Sequence, residues 1–283
     1  MAGEIWTFFE GEWKDGNTPI LGAADHGAWL GSMVFDGARA FDGMTPDLAL
    51  HCARANESAR RMGLNPTMTD EEILAIALDG VKKFAPGTPL YIRPMIWARS
   101  GQTSMVSPDP DSAAFAMCLE ERPMAPPDGI TLGRTSFRRP TPDCMPVDAK
   151  AGCLYPNNAR MLREVNGRGF QNAIVCDAIG NVAETATSNI FMAKDGVVLT
   201  PVPSGCFLNG ITRQRTIGLL RDDGVEVVEK TLTVRDFMEA DEIFTSGNAM
   251  KIMHVTQLED RNLQYGRLSR RARELYWDYA ASV

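Results

Sequence analysis

The chain has 283 residues, a length that predicts one large domain or two of ordinary size. Its 29 basic and 36 acidic side chains give a formal net charge of −7 without a basic run, which argues against nucleic acid and against an anionic membrane surface as partners. No apolar stretch approaches the roughly 18–20 residues of a membrane span, and the N-terminal segment lacks the order of a signal peptide. The six cysteines form no CxxC pair and there are three histidines, which favours reduced thiols over a metal site. Composition therefore predicts a soluble cytoplasmic protein without a metal.

The first part of the chain, residues 1–119, is predicted to be a small domain of mixed strands and helices. Thr69 and Glu72 have the spacing of a capping box, which begins a helix that ends before Pro86. The predicted elements in chain order are a hairpin of Ile5–Glu10 and Glu12–Lys14, short strands within Trp29–Phe41, helices Asp47–Met62 and Ile73–Phe84, and strands Leu90–Ala98 and Ala113–Leu119.

Residues 120–129 contain three prolines and a glycine, a composition that predicts an interdomain linker. The following residues, 130–283, are predicted to form a larger domain. Short strands separated by Gly-Asn and Asp-Gly turns indicate an antiparallel meander. The predicted elements are strands Ile130–Phe137, Ala173–Asp177, Val182–Glu184, Asn189–Met192, Val197–Thr200, Val225–Glu229 and Glu242–Phe244, and helices Asn157–Gly167, Ile211–Asp222 and Leu268–Tyr279.

Four local features of the larger domain have the chemistry of a cofactor site. Lys150 lies among small residues, which suits a nucleophilic amine, and the alternative is a surface lysine in a loop. The helix start at Gly210 and the turn Thr245–Ala249 suit anion binding through backbone N–H groups, or are an ordinary cap and turn. Glu184 is a lone acid among small and apolar residues, and it is either part of a binding site or a carboxylate at the rim of the protein. Together they match pyridoxal 5'-phosphate (PLP), which requires a lysine, a phosphate pocket and a carboxylate at its pyridine nitrogen.

Seven segments resemble, in the same order, the motifs of one family. The chain is similar over nearly its whole length to the class IV (fold type IV) PLP-dependent aminotransferases, most closely the branched-chain amino acid aminotransferases. The segments are Val34–Phe41 (VFDGARAF), Arg54–Ala59, Tyr91–Pro94 (YIRP), Lys150–Tyr155, Ala183–Phe191, Leu208–Arg213 (LNGITR) and Ser246–Ala249. The resemblance implies an α+β fold of two domains, a small α/β domain and a larger β-rich domain, with the cofactor cleft between them. It also implies a homodimer or a higher homo-oligomer.

The resemblance further implies roles for individual residues. Lys150 would form the Schiff base with PLP and then carry protons, while Glu184 would pair with the pyridine nitrogen. The other implied cofactor-binding residues are Arg54, Gly210, Ile211, Thr212, Gly247 and Asn248 around the phosphate, Tyr155 at the ring oxygen and Leu208 against the ring. The implied substrate-binding residues are Phe35, Tyr91, Arg93, Phe137, Asn248 and Ala249. The implied reaction is transamination of an L-branched-chain or related hydrophobic amino acid with a 2-oxo acid such as 2-oxoglutarate.

Five positions depart from the branched-chain pattern, in which tyrosine, tryptophan, glycine, proline and threonine are usual: Leu30, Phe137, Thr185, Asn209 and Asn248. None of them replaces the implied lysine, acid or arginine, so they bear on the choice of substrate more than on the cofactor. An (R)-amine or D-amino acid transaminase and an aminodeoxychorismate lyase therefore remain open, as does a non-enzymatic protein that binds the cofactor. Arg138 either brings positive charge to the substrate pocket or is a solvated loop residue.

Overall fold

The computed structural model describes residues 3–283, which divide into two compact units. The first unit contains the described residues up to Met124, the short segment Ala149–Leu154 and Val283; the second contains Ala125–Asp148 and Tyr155–Ser282. Both units contain helices and sheet, so the α+β class is confirmed. The domain boundaries given by the sequence stay a prediction, while Glu120 and Glu121 lie in a strand rather than in a linker.

The first unit is built on a six-stranded sheet. Its strands are β1 (Ile5–Phe9), β2 (Glu12–Asp15), β3 (Met33–Phe35), β4 (Ala38–Ala40), β5 (Leu90–Ala98) and β6 (Ala113–Glu121). They follow the order β2-β1-β6-β5-β3, with β4 also paired to β5, and every pairing is antiparallel. The first seven residues of β5 alternate between buried and half-buried side chains, as expected for a strand with one face on the core. The predicted N-terminal hairpin is confirmed.

The helices of the first unit are α1 (His26–Trp29), α2 (Leu48–Arg61) and α3 (Asp70–Val81). The capping box predicted at the start of α3 is present, because the Thr69 hydroxyl accepts from the Glu72 N–H and the Glu72 carboxylate accepts from the Thr69 N–H. A 3₁₀ turn at Pro110–Ser112 leads into β6. The cysteine of α2, Cys52, is buried against this core.

The second unit is built on a nine-stranded sheet. Its strands are β7 (Ile130–Arg138), β8 (Asn172–Cys176), β9 (Val182–Thr185), β10 (Asn189–Lys194), β11 (Val197–Pro201), β12 (Val227–Lys230), β13 (Glu242–Gly247), β14 (Lys251–Leu258) and β15 (Arg261–Asn262). The order is β12-β11-β10-β13-β14-β7-β8-β9, with β15 paired to β14. The pairs β14–β7, β7–β8 and β11–β12 are parallel.

The predicted antiparallel meander is wrong. The two hairpins β8–β9 and β10–β11 form, because each is set by a local turn, but β9 and β10 are not neighbours. Four strands lie between them in the sheet order, and β10 pairs with β13 instead. The connection from Thr185 to Ser188 is a tight turn in which the Thr185 hydroxyl accepts the Ser188 N–H. Pairings over such long sequence separations are decided by packing that no local pattern reveals.

The helices of the second unit are α4 (Tyr155–Asn166), α5 (Ile211–Asp222), α6 (Val234–Met238) and α7 (Arg267–Ala281), and α5 has the predicted bounds. One core of this unit contains Ile190, Phe237, Ile243 and Val255, and a second one contains Met161 of α4. Among residues 3–283, no helix combines the length and the apolar composition needed to cross a bilayer.

Candidate active site

Lys150 belongs to the first unit, where its backbone is held on both sides. Its N–H donates to the Ser58 hydroxyl of α2 at 3.1 Å, and its carbonyl accepts from the Phe35 N–H of β3 at 3.1 Å. The next residue, Ala151, forms an isolated β-bridge with Val34, and both are fully buried. The side chain itself is half-buried, with Nζ 5.1 Å from the centroid of the Phe35 ring. Lys150 thus lies outside the helices and strands, as the surface-loop interpretation expected, but its backbone is fixed and the residue is only half-exposed.

Arg54 of α2 is oriented by a fully buried carboxylate. Asp36 Oδ2 accepts from Arg54 Nε at 2.6 Å and Asp36 Oδ1 accepts from Arg54 Nη2 at 2.9 Å, a two-point pairing that fixes the plane of the guanidinium. Asp36 Oδ1 also lies 2.7 Å from His51 Nδ1 and accepts from the Gly37 N–H at 2.7 Å. Burial alone would raise the pKa of Asp36, but Arg54 and His51 outweigh it and hold that pKa well below its ordinary value.

Phe35, Tyr91 and Arg93 lie on one face of the first sheet. Tyr91, Arg93 and Met95 alternate with buried residues along β5, and Phe35 is the register partner of Met95. The Arg93 guanidinium lies 5.0 Å from the centroid of the Tyr91 ring. Gly37 leaves room for the phenol, because a Cβ there would be 2.2 Å from Tyr91 Oη. The three predicted substrate contacts of this unit are thus brought together.

Glu184 of β9 is a buried carboxylate of the second unit, with an arginine and an amide as partners. Arg139 donates to Glu184 Oε1 through Nη2, and Asn189 donates to Oε2 through Nδ2 at 3.4 Å. Arg139 is itself buried and donates from Nη1 to Asn158 Oδ1 at 2.6 Å. The Arg139 guanidinium therefore places a positive charge beside this buried carboxylate. The alternative of a solvated rim acid is wrong.

The start of α5 is organised by the same asparagine. Asn189 Nδ2 donates to the Leu208 carbonyl at 3.0 Å, and Asn189 Oδ1 accepts from the Gly210 N–H at 3.2 Å. Gly210 is the residue before the helix, and a Cβ there would lie 2.2 Å from Asn189 Oδ1. Ile211 and Thr212 follow, both buried, in the first turn, where helix N–H groups have no intrahelical acceptor. This is the geometry of an anion site at a helix N-terminus.

The turn between β13 and β14 follows Ser246 and Gly247 and consists of Asn248, Ala249 and Met250. Ser246 pairs in register with Asn189, so β13 runs beside the strand that organises the α5 start. Within the described chain, Ser246 Oγ and Asn248 Nδ2 are buried and have no hydrogen-bond partner. Asn248 Oδ1 accepts from Lys251 Nζ at 2.8 Å.

Two further predicted residues of the second unit lie on α4 and β7. Tyr155 is the first residue of α4 and is exposed, while Phe137 of β7 packs against the core that contains Met161 of the same helix. Arg160 Cζ lies 4.2 Å from the centroid of the Phe137 ring. Arg138 is an exposed strand residue that donates to the Asp177 carbonyl at 3.4 Å, so it is solvated as one interpretation expected, although it is not in a loop.

The groups described above fit PLP. The first unit offers a lysine with a fixed backbone and an oriented arginine. The second unit offers a buried carboxylate, a helix N-terminus and, at the end of β13 and in the turn after it, the buried Ser246 Oγ and Asn248 Nδ2, which have no hydrogen-bond partner among the described residues. Unpartnered buried donors are rare in native proteins and indicate an acceptor that binds there. By contrast, the described residues contain no group of three or more His, Cys, Asp or Glu that could hold a metal ion. Burial, with the charges of Asp36 and Asp70, raises the pKa of Cys52 to about 12, so this thiol has no nucleophilic character.

Sequence reasoning missed four residues that organise the candidate site: Asp36, Arg139, Asn189 and Lys251. Asp36 and Asn189 stand inside motif segments, VFDG and NIF, where a polar residue between apolar ones was the available signal. Arg139 and Lys251 had no such signal, because arginine and lysine are exposed by default and only the fold reveals their burial.

Comparisons with known proteins show which family the chain resembles. The model of the class IV amino-transferase family matches residues 33–258. A putative branched-chain-amino-acid aminotransferase of Methanocaldococcus jannaschii is 30% identical over 282 residues, which cover 96% of this chain and 95% of the relative. A crystal structure of an aminotransferase from Brucella abortus bound to PLP is 58% identical, with a TM-score of 0.97 and coverage of 98% and 99% of the two chains. A branched-chain amino acid aminotransferase from T.th., complexed with N-(5'-phosphopyridoxyl)-L-glutamate, is 26% identical with a TM-score of 0.89, and the match covers 100% of this chain and 95% of that one.

Proposed function

Because the chain belongs to the class IV aminotransferase family, we propose that it transfers the amino group of an L-branched-chain or related hydrophobic amino acid to a 2-oxo acid such as 2-oxoglutarate. The chain is a PLP-dependent aminotransferase, and its substrates are small amino acids and 2-oxo acids. The relatives named as branched-chain enzymes support the choice of donor. The enzyme from T.th., which was crystallised with a phosphopyridoxyl adduct of glutamate, supports the choice of acceptor.

The observation that carries the proposal is the fixed position of Lys150. Its N–H and its carbonyl are bound by α2 and β3, so the side chain starts from a rigid point while its amine stays half-buried beside the Phe35 ring. Pre-positioning of the reacting amine is what an enzyme requires, because a misplacement of about 1 Å costs up to ~100-fold in rate. A lysine with only a surface role has no need of these constraints.

When bound, PLP supplies an electron sink that makes the hydrogen on the substrate α-carbon acidic. The Lys150 amine would hold the cofactor and would move the proton of the substrate α-carbon. Glu184, which is paired with Arg139, would hold a proton at the pyridine nitrogen. The cofactor phosphate is bound by Arg54, Gly210, Ile211, Thr212, Gly247 and Asn248, while Tyr155 donates to the ring oxygen and Leu208 covers the ring.

The substrate is proposed to bind to residues of both units. Phe35 offers an aromatic surface on the face that also presents Tyr91 and Arg93. We assign the Tyr91 hydroxyl and the N–H groups near Asn248 and Ala249 to the substrate carboxylate. We also assign two further residues to the substrate: Arg93 of the first unit, whose guanidinium lies 3.4 Å from Glu120 Oε2, and Phe137 of the second. We further propose that the protein works in the cytoplasm as a homodimer or a higher homo-oligomer, a state that light scattering of the purified protein measures directly.

The test is a pair of half-reactions with the purified enzyme. L-Leucine alone should discharge the visible absorbance of the bound cofactor and release 4-methyl-2-oxopentanoate, and 2-oxoglutarate should then restore the absorbance with release of glutamate. Lys150→Ala should show neither the visible band nor the reaction. Lys14→Ala, at a half-exposed lysine of the first unit, is the matched control and should behave as the wild type.

The same assay separates the rival activities of the family. Discharge by D-alanine or (R)-1-phenylethylamine in place of L-leucine would replace the proposal with a D-amino acid or (R)-amine transaminase. Release of pyruvate from aminodeoxychorismate without any acceptor would replace it with a lyase. A visible band that survives in Lys150→Ala would refute the assignment of the lysine.

A further inference from the structure

Lys251 is a buried lysine in an unusual backbone conformation. It begins β14 directly after the three-residue loop Asn248–Met250, is paired with Gly247, and has a φ of 55°. A positive φ is uncommon for residues other than glycine, which is favoured there because it has no Cβ. A lysine there is strained, and its side chain is only 1% exposed. Backbone strain of this kind is found mostly at functional sites.

The side chain of Lys251 fixes the orientation of the Asn248 amide. Lysine only donates hydrogen bonds, so the 2.8 Å contact between Nζ and the amide requires that Asn248 Oδ1 faces the lysine. The Nδ2 group consequently turns away from Lys251. Within residues 3–283 this buried Nδ2 has no acceptor, and the buried Ser246 Oγ, two residues before it, has no partner either. Two such polar groups on one turn indicate that an acceptor of negative charge binds there.

We propose that Lys251 is a positioning residue for the cofactor phosphate. It holds the Asn248 amide so that Nδ2 donates to a phosphate oxygen, and its ammonium adds buried positive charge to the same turn. The inference rests on the proposed function, since it takes the ligand of this turn to be the phosphate of PLP. The family pattern has threonine at position 248, and a hydroxyl rotates by itself to suit an anion, whereas an amide must be turned the right way round. Asparagine therefore needs a residue such as Lys251.

The test compares two ligands that differ only in the phosphate. Full-length enzyme freed of cofactor is titrated with PLP and with pyridoxal, and the Kd of each is measured from the visible absorbance. Lys251→Met should weaken PLP binding by about tenfold, as expected for one lost charge-assisted hydrogen bond, and change pyridoxal binding by less than about twofold. In the Asn248→Thr background, Lys251→Met should change PLP binding by less than about threefold, because no amide remains to be oriented.

Two variants act as controls. Lys194→Met, at a half-exposed lysine of the same unit, should leave both affinities unchanged. Asn248→Asp keeps Lys251 and therefore tests the phosphate contact even if Lys251→Met does not fold. Its carboxylate should weaken PLP binding by more than about tenfold and leave pyridoxal binding almost unchanged, because a like charge repels the phosphate.

The inference is overturned if Lys251→Met weakens PLP and pyridoxal equally, if its effect on PLP is the same with asparagine and with threonine at position 248, or if Asn248→Asp binds PLP as tightly as the wild type. The titration of the wild type comes first. If the wild type fails to bind PLP through Lys150, the proposed function itself is refuted, and that result is distinct from a failure of Lys251 alone.

Discussion

Replacing Asp36 by asparagine should cost the first unit a large part of its stability. The change keeps the shape of the side chain but removes a fully buried charge that bonds Arg54 twice and lies 2.7 Å from His51 Nδ1. Removing one partner of a buried ion pair typically costs about 3–5 kcal/mol, because the other charge keeps its desolvation penalty. Asp36→Asn should therefore lower the free energy of unfolding of the protein by about 3 kcal/mol or more.

The loss should depend on pH in a direction set by the pKa of Asp36. Arg54 and His51 overcome burial and lower this pKa in the folded state, whereas the unfolded carboxyl titrates near ~3.9. A lowered pKa contributes stability above the unfolded value, and this contribution is lost as the pH falls toward the folded value. The stability difference between the wild type and Asp36→Asn should thus be smaller below about pH 4 than at about pH 5.

The measurement is urea unfolding followed by tryptophan fluorescence at several pH values. Asp42→Asn is the matched control, since Asp42 is exposed in the same unit and its φ of 51° is one that asparagine tolerates. This control should change the stability by no more than about 0.5 kcal/mol. A loss below about 1 kcal/mol in Asp36→Asn, or a difference that does not change with pH, would show that the carboxylate is not the charge that holds Arg54.

Two further predictions concern the second unit. Glu184→Ala should still bind PLP but transaminate poorly, because the pyridine nitrogen loses the group that keeps it protonated; wild-type turnover by this variant in the L-leucine assay would reject the role. Gly210→Ala should lower the melting temperature through a loss of about 1–3 kcal/mol, because its Cβ would lie 2.2 Å from Asn189 Oδ1. Gly218→Ala, in the same helix with no atom within 4 Å of the new Cβ, should instead stabilise by about 0.5–1 kcal/mol, and equal effects of the two would contradict the steric argument.

Local signals in the sequence were sufficient for most individual elements. The capping box at Thr69 sets the start of α3, and the glycines at 210 and 224 bound α5, because these signals act within one helical turn. The strand order could not be predicted, because strands that pair are far apart in the sequence. The pairing of β10 with β13 joins Asn189 to Ser246 across 57 positions, and β14 was not predicted at all. Nothing in the sequence near either strand specifies such a partner.

The residues of the candidate site also divide into those that the sequence could predict and those that it could not. Lys150, Glu184 and Arg54 carry the reactive groups, so their types and motif spacing were enough to single them out. The residues that hold them, Asp36 and Arg139, contribute through burial and orientation, which depend on packing. Arg139 shows the difficulty most clearly, because its neighbour Arg138 is exposed although the two have the same chemistry in the sequence. Arg138 is the last residue of β7 and Arg139 follows it outside the strand, so the path of the chain at the end of β7, and not the residue type, decides which arginine is buried.

The division of the chain into units has a consequence for how the protein is made. The first unit is not one continuous stretch, because the six residues Ala149–Leu154 that carry Lys150 reach it only after Ala125–Asp148 of the second unit. On the ribosome, the partner of Val34 and Phe35 therefore emerges only after 24 residues of the other unit. A fragment that stops at Met124 would lack both the contact of residues 149–154 with β3 and the reactive amine, so truncation there cannot yield a complete first unit. Cleavage within residues 125–148 of the folded protein, in contrast, would leave every segment of the first unit present.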